Sequence, residues 1–261
     1  MRLQGVRLLL IDGPNLIRRI HAAIPASDPQ QLVEQTLSSS LQSLSRALKQ
    51  HSPTHVLCAF ECQGLTWRHE RYADYKKDRP PPPKELEEIF LRLANDIPGL
   101  GIQVIQVAKM EADDVIASAA VKAAAEGAEV TILSTDTGQA QLLSQHIRQY
   151  NHFNQEEIDA VFIEQRYLVR PHQLNDYFAL VGDKSHSLPG VPGIGKKTAA
   201  KLLARYHDLE SILSASDEIG GKTATSLQEN ADTARRVRNL SALRTDVELG
   251  QSLRSLRYSP Q

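Results

Sequence analysis

Arg7-Leu-Leu-Leu-Ile-Asp12 is the stretch on which the fold turns. Four apolar residues in a row, ending in an acid, read as a strand buried on both faces, the pattern of a parallel sheet covered by helices. Working outward, two more runs repeat it: His55-Val-Leu-Cys-Ala-Phe-Glu61 and Glu129-Val-Thr-Ile-Leu-Ser-Thr-Asp136. Between them lie helix-like segments at Leu32 to Gln50, Lys84 to Asp96 and Ala112 to Glu126, and a further strand candidate at Ile102 to Val107. The alternation predicts an α/β domain with a mainly parallel sheet over residues 1–158. From about Asp159 the apolar strand runs stop, and residues 159–261 read as helices separated by Gly and Pro turns.

In an open parallel sheet, ligands bind outside the carboxyl ends of the strands, where Asp12, Glu61 and Asp136 emerge. One strand-terminal acid is most simply a turn or N-cap residue. Three in one cleft repel each other unless a cation offsets them. Glu111-Ala-Asp-Asp114 opens the helix that follows the Ile102 to Val107 strand. First-turn acids are favoured by the helix dipole, each by about 0.3 to 1 kcal/mol, but that strand also delivers them to the same sheet edge. Oxygen-only donors suit Mg²⁺ or Mn²⁺, and phosphodiester hydrolysis is the chemistry such sites commonly serve.

The 261 residues suffice for one large domain, or one domain with a smaller attachment. Cys58 and Cys62 form no disulfide framework or zinc spacing, which points to a reducing compartment. The apolar run between Met1 and Ile11 is too short for a secretory signal and no stretch reaches membrane-spanning length, so the expected location is cytoplasmic, with no membrane partner. Lys and Arg number 30 against 31 Asp and Glu, for a formal net charge of −1. That balance excludes an argument for nucleic-acid binding from overall charge, so any such argument must be local.

Two local features supply it. The segment Gly64 to Lys84 interleaves Arg68, Arg71, Lys76, Lys77, Arg79 and Lys84 with Trp67, Tyr72 and Tyr75. A solvated helix face with its own ion pairs would look the same. Directly after the strand ending in Glu61, however, the segment would lie over the acidic cleft and bring cations to phosphates and rings to unstacked bases. Further on, Leu188-Pro-Gly-Val-Pro-Gly-Ile-Gly-Lys-Lys-Thr-Ala-Ala-Lys-Leu-Leu203 reads as a helix-hairpin-helix element, about 182–206. Its glycines permit a tight turn, the N–H groups at the following helix start suit a phosphate, and Lys196, Lys197 and Lys201 add charge.

In this order the motifs resemble the bacterial 5'-nuclease and flap endonuclease family over nearly the whole chain, most of all its short, stand-alone exonuclease IX type. The stretches that carry the resemblance are Leu10-Ile-Asp-Gly-Pro-Asn-Leu16, Trp67 to Pro80, Glu111-Ala-Asp-Asp-Val-Ile-Ala117, Ser134 to Leu143, and Gly182 to Leu203. The resemblance implies a Rossmann-like (PIN-like) nuclease domain, a helical arch from the segment 64–84, and a helix-hairpin-helix region that binds duplex DNA with help from K⁺. It implies Mg²⁺ catalysis, with Mn²⁺ able to substitute, on flapped or branched DNA by a monomer.

Carried over by position, Asp12, Glu61, Glu111, Asp113, Asp114, Asp136 and Asp183 match the acidic site, with Asp113 the expected direct Mg²⁺ ligand. Lys76 and Arg68 are expected to stabilise charge on the phosphate. Tyr75 and Arg79 match DNA-contacting positions of the arch, and Gly193, Ile194, Gly195, Lys196, Lys197 and Thr198 the DNA-contacting turn. The K⁺ ligands fall on the backbone carbonyls of Leu180, Val181, Pro189, Val191 and Ile194. Three positions depart from the family pattern: Glu61 replaces the common Asp, Gly138 stands where a second Asp follows Asp136, and His186 stands where another acid follows Asp183. With two carboxylates missing, a second Mg²⁺ is expected to be weakly held. The expected activity is flap cutting with weak or absent exonuclease activity. The alternatives are a catalytically decayed branched-DNA-binding module and a 5'-3' exonuclease acting on DNA or RNA primers.

Overall fold

A computed structural model describes residues 3–25, 28–62 and 64–259. Met1 and Arg2, where the run judged too short for a secretory signal begins, lie outside the described residues. Six strands form one sheet in the order β3-β2-β1-β4-β5-β6. They are β1 (Arg7–Asp12), β2 (His55–Phe60), β3 (Gln103–Gln106), β4 (Glu129–Leu133), β5 (Ile147–Asn151) and β6 (Glu156–Glu157). All pairings are parallel except β5 with β6.

Period-2 alternation divides the core in two. Leu9 and Ile11 of β1, with Val56, Cys58 and Phe60 of β2, face helices α1 (Gly13–Ala23), α2 (Pro29–His51) and α4 (Lys84–Asp96). Leu8 and Leu10, with Leu57 and Ala59, face α5 (Ala112–Ala125). Burial on both faces is what the unbroken apolar runs require. Asp28 and Pro29 start α2, the Asp28 carboxylate accepting from the Gln31 N–H at 2.8 Å and the proline occupying the first helical turn.

The second region is helical: α6 (Ala160–Tyr167), α7 (Leu174–Val181), α8 (Lys196–Tyr206), α9 (Leu209–Ser214), α10 (Ser216–Ile219), α11 (Gly221–Glu229) and α12 (Ala231–Ser241). Its core runs from Ile158 to Ala234 and takes in Ala140, which follows Asp136 closely and so puts that acid at the seam between the two regions. Beyond α12 the chain returns to the α/β region. Ser118 Oγ donates to the Arg244 carbonyl at 3.1 Å and accepts from the Val247 N–H at 3.0 Å, and the Tyr258 N–H reaches the Thr54 carbonyl at 2.8 Å.

Before α4 begins at Lys84, the segment 64–84 is helical only at α3 (Trp67–Arg71); consecutive turns and Pro80 to Pro83 complete it. The expected helical arch therefore takes the form of one short helix and a folded-down loop.

Candidate functional site

The sheet order reverses between β1 and β4, and the crevice there holds the first acids. Asp12 ends β1 and caps α1, accepting from the Asn15 N–H at 3.0 Å and from Ser134 Oγ, just beyond β4, at 2.7 Å. Gly13 makes this entry possible: a Cβ there would lie 2.8 Å from the Phe60 ring and 2.9 Å from the Ala59 carbonyl oxygen. Asp136 accepts from the Gly138 N–H at 2.8 Å. Asp113, on the first turn of α5, accepts from Gln139 Nε2 at 2.6 Å.

These three acids are crowded and have no cationic side chain bonded to them among the described residues. Burial first, then the charges of Asp136 and Glu61, push the Asp12 carboxyl up to about 7. Burial and the charges of Asp12, Asp136 and Glu111 push Asp113 well above the usual carboxylate range. Gln139 Oε1 is buried and meets no donor among the described residues.

The other half of the acidic cluster is paired. Glu111 accepts from Lys76 Nζ at 2.9 Å, Arg68 Nη1 at 3.1 Å and the Tyr75 hydroxyl at 3.1 Å. Burial alone would raise its carboxyl, but the Lys76 and Arg68 charges outweigh it and hold it at about 2. Burial pushes the Tyr75 phenol up, so its hydroxyl keeps its proton and donates. Glu61 pairs with Arg18 Nη2 at 3.2 Å on the rim. Across the cavity, of about 300 Å³, Asp183 accepts from Ser185 Oγ at 2.6 Å and pairs with His186 Nδ1 at 2.6 Å. Burial would raise Asp183, but the His186 contact outweighs it and holds the carboxyl at about 2.

Three expectations change in this geometry. Asp114, expected among the catalytic acids, is fully buried and satisfied by Arg68 Nη1 and Nη2 at 2.7 and 2.8 Å, Trp67 Nε1 at 2.8 Å and the Arg244 N–H at 3.0 Å. Arg68, expected to meet the phosphate, also donates to the Leu240 carbonyl at 2.8 Å and the Ala242 carbonyl at 3.2 Å. With Glu111, that occupies all five of its N–H donors. Tyr75, expected to face DNA, is 4 % exposed, packed against Leu188, Val237 and Leu240. Arg79 is exposed, as a DNA contact would require.

Ser134, Gln139, Asn15 and Arg18 were not singled out in the sequence. Asn15 and Ser134 stand inside the quoted motifs, three residues after Asp12 and two before Asp136, so a search for polar partners near each acid finds them. Gln139, three residues after Asp136 in the same motif, is found in the same way; nothing local marks Arg18.

In the hairpin element the backbones approach so closely that a Cβ on Gly190 would lie 2.4 Å from the Val181 carbonyl oxygen, and one on Gly182 2.6 Å from the Gly190 nitrogen. Of the five carbonyls expected to hold K⁺, that of Leu180 accepts from the Val191 N–H at 2.8 Å and that of Val191 from the Ile194 N–H at 3.1 Å. The Val181, Pro189 and Ile194 carbonyls belong to the same two stretches. Gly195 caps α8, Lys196 reaches the Arg166 carbonyl, and Lys197 and Lys201 are exposed.

Residues 7–168 match the family described as 5'-3' exonuclease, N-terminal resolvase-like domain, and residues 169–261 match its C-terminal SAM fold. The chain belongs to the 5'-3' exonuclease family. It is thereby a nuclease, a hydrolase. It is 39% identical over 254 residues to Flap endonuclease Xni of Shewanella amazonensis, covering 97% of this chain and 99% of that one. To Flap endonuclease Xni of Aeromonas hydrophila it is 40% identical over 256 residues, with coverage of 97% and 96%. Among solved structures, the T5 5'-exonuclease with bound zinc ions superposes with a TM-score of 0.75 at 21% identity, covering 90% of this chain and 89% of that one. The catalytic core of Rad2 in complex with DNA substrate gives 0.60 at 15%, covering 98% and 83%. Both show the shared fold of this family. No described helix is long and apolar enough to cross a membrane.

A divalent cation fits the crowded half, though sparsely. The donors there are oxygens only, and burial together with the neighbouring acids raises the Asp12 and Asp113 carboxyls, a cost to their charged forms that a cation would offset. Yet among the described residues no three His, Cys, Asp or Glu side chains are gathered as a metal cage. An ion that keeps most of its waters and takes one or two carboxylates matches that supply, which is the habit of Mg²⁺.

Proposed function

We propose that the chain is a structure-specific 5'-flap DNA endonuclease that hydrolyses a phosphodiester bond near the flap junction with Mg²⁺ and acts as a monomer. The observation that carries this reading is the crowding of buried Asp12 with half-buried Asp113 and Asp136 at the sheet's switch point, carboxylates that no cationic side chain meets among the described residues. The name Flap endonuclease Xni borne by relatives about 40% identical over nearly the whole chain supports the substrate.

Asp113 and Asp136 would hold the cation, with Asp12 steadied by Ser134 behind them. When bound, Mg²⁺ supplies Lewis acidity toward water and the phosphate. Lys76 leaves Glu111 for the phosphate and stabilises the charge that develops there. Arg68, with every donor committed, holds Glu111 and Asp114 in place rather than touching substrate. The duplex is held by the backbone N–H groups of Gly193 to Thr198 and by Lys197, contacts that read phosphate and not base. K⁺ on the carbonyls of Leu180, Val181, Pro189, Val191 and Ile194 would stiffen that turn, and Arg79 would meet the single-stranded arm. Because Gly138 and His186 add no carboxylate, a second cation is poorly held and processive mononucleotide release is weak.

The test is an end-labelled 5'-flap duplex incubated with Mg²⁺, Mn²⁺ or neither, with and without K⁺, beside Asp113→Ala. Cleavage near the junction that needs the metal is expected, with loss of on the order of 10³-fold or more in the variant. Binding without cutting in either metal would sink the enzyme reading and leave a branched-DNA-binding module. Efficient mononucleotide release from a blunt duplex would overturn the preference for flaps.

A further inference from the structure

His186 lines the cavity but has no part in the chemistry above. It sits in the loop 183–188 that leads from α7 into the hairpin, and this loop clasps the middle of the segment 64–84 at three points. The His186 ring lies flat on the Tyr75 ring, with centroids 5.5 Å apart and planes 4° from parallel. Its carbonyl accepts from the Lys76 N–H at 2.9 Å. Ser187 Oγ accepts from the Asp78 N–H at 3.1 Å.

Both sides of this clasp are held in an uncommon backbone conformation: Lys76 has φ 58° and Ser187 φ 54°. Non-glycine residues persist there when surrounding contacts over-determine them. The imidazole is itself fixed, with Nδ1 on Asp183 at 2.6 Å and near Ser185 Oγ at 3.2 Å. On its far side Tyr75 is pinned through its hydroxyl to Glu111, and the next residue puts Lys76 Nζ on the same carboxylate. An unbroken line of contacts thus runs from Asp183 through His186 and Tyr75 to Glu111 and Lys76.

A carboxylate at position 186 would face Asp183 and Glu111 and require a cation. An imidazole needs none and offers a flat face to a ring. We propose that His186 is a positioning residue that fastens the middle of the segment 64–84 to the hairpin loop, so that a duplex seated on the hairpin meets Lys76 already held beside the acids. The clasp itself rests on geometry; its consequence for cutting rests on the nuclease reading above.

Three variants separate the parts of the clasp: His186→Phe keeps a ring and loses the Asp183 contact, His186→Gln keeps a polar group without a ring, and His186→Ala keeps neither. Trypsin nicking at the exposed Lys77 and the emission of Trp67, the single tryptophan, report on the segment without any flap cutting. Loss of the clasp in His186→Ala and His186→Gln is expected to speed nicking about tenfold by local opening. Their single-turnover flap cutting should fall about tenfold, since small displacements of positioned groups cost that much or more. Flap binding and Mn²⁺ affinity should stay at wild-type levels, and His186→Phe should recover most of the nicking resistance and the rate.

Equal defects in His186→Phe and His186→Ala would overturn the proposal, as would wild-type nicking in all three variants. A fall in Mn²⁺ affinity parallel to the rate would also overturn it, making His186 a metal ligand. Should the wild type cut no flap, the nuclease reading fails by itself, and the nicking series and Trp67 emission still decide whether His186 holds the segment.

Discussion

Asp113 and Asp114 are neighbours on one helical turn and stand in opposite electrostatic surroundings. Asp114 receives four hydrogen bonds, two of them from Arg68, and its charge is met in full. Asp113 receives one, from Gln139, and feels Asp12, Asp136 and Glu111. Successive residues on an α-helix point about 100° apart, so one faces the crevice and the other faces α3 and the returning C-terminal chain. The contrast extends to the whole cluster: Glu111 and Asp114 with Arg68 and Lys76 form a paired half that holds the fold, and Asp12, Asp113 and Asp136 form a crowded half that works against it. Residue type alone does not distinguish a paired acid from an unpaired one; the number of donors around it does.

The sharpest way to break this comparison is to strip the counter-charge from the paired half. Arg68→Met leaves Asp114 buried without a cationic partner and Glu111 with Lys76 alone, and the expected loss is about 3 to 5 kcal/mol. Arg68→Lys keeps a charge but cannot fill five acceptors, so it should recover only part of that. In the crowded half the sign reverses: Asp113→Asn removes a repelled carboxylate and should leave stability unchanged or raise it. Urea unfolding without divalent metal measures all three. A loss under about 1 kcal/mol for Arg68→Met, the ordinary worth of a surface pair, would dissolve the distinction between the halves.

The two halves should also respond to pH with opposite slopes. Asp12 sits near 7 when folded against an ordinary 3.8, so the folded state keeps a proton that the unfolded state has lost. Metal-free stability from this group is therefore full below about pH 4 and falls as pH rises to about 7, by roughly 2 to 4 kcal/mol. Glu111 sits near 2 against an ordinary 4.5, so its contribution is present above 4.5 and lost as pH falls toward 2. Asp12→Asn should flatten the neutral limb and Glu111→Gln the acid limb, as seen in unfolding midpoints across pH 3 to 8. A neutral limb unchanged in Asp12→Asn would mean that the crowding at the switch point is not felt by Asp12.

Much of this was legible in the chain. The runs Arg7 to Asp12, His55 to Glu61 and Glu129 to Asp136 locate β1, β2 and β4, because strands covered on both faces must be apolar throughout. Helices α4 and α5 fall where their periodicity puts them. Strand β5 was not visible: Ile147-Arg-Gln-Tyr-Asn151 buries Gln149 and Asn151, and Gln149 is paid for by bonds to the Ser134 and Asp136 carbonyls that no local pattern announces. The acids of the site could be found from strand ends and a helix start. Which of them are paired could not, since Asp114 depends on Arg68, 46 residues before it, and on the Arg244 N–H, 130 residues after it.

The smallest expected effect tests what the crowded half is for. Gly138 lies beside Asp136 in an ordinary backbone conformation, and a Cβ there would stand 3.2 Å from Asp136 Oδ1, so the neighbouring carboxylate must give by a few tenths of an ångström. Gly138→Asp adds a fourth acid where three already repel one another, and Gly138→Asn fills the same space without the charge. Without metal, the aspartate variant should be less stable than the asparagine variant by about 1 kcal/mol. With Mn²⁺ the order should invert, because ligand charge raises affinity for a hard cation, here by on the order of tenfold measured calorimetrically. The inversion is the informative part, since steric strain at 138 would burden both variants alike and repulsion alone would burden one under every condition. Only a cation bound among Asp12, Asp113 and Asp136 turns the added charge from a cost into a gain, so a Gly138→Asp variant that loses stability and gains no affinity would place the divalent site elsewhere.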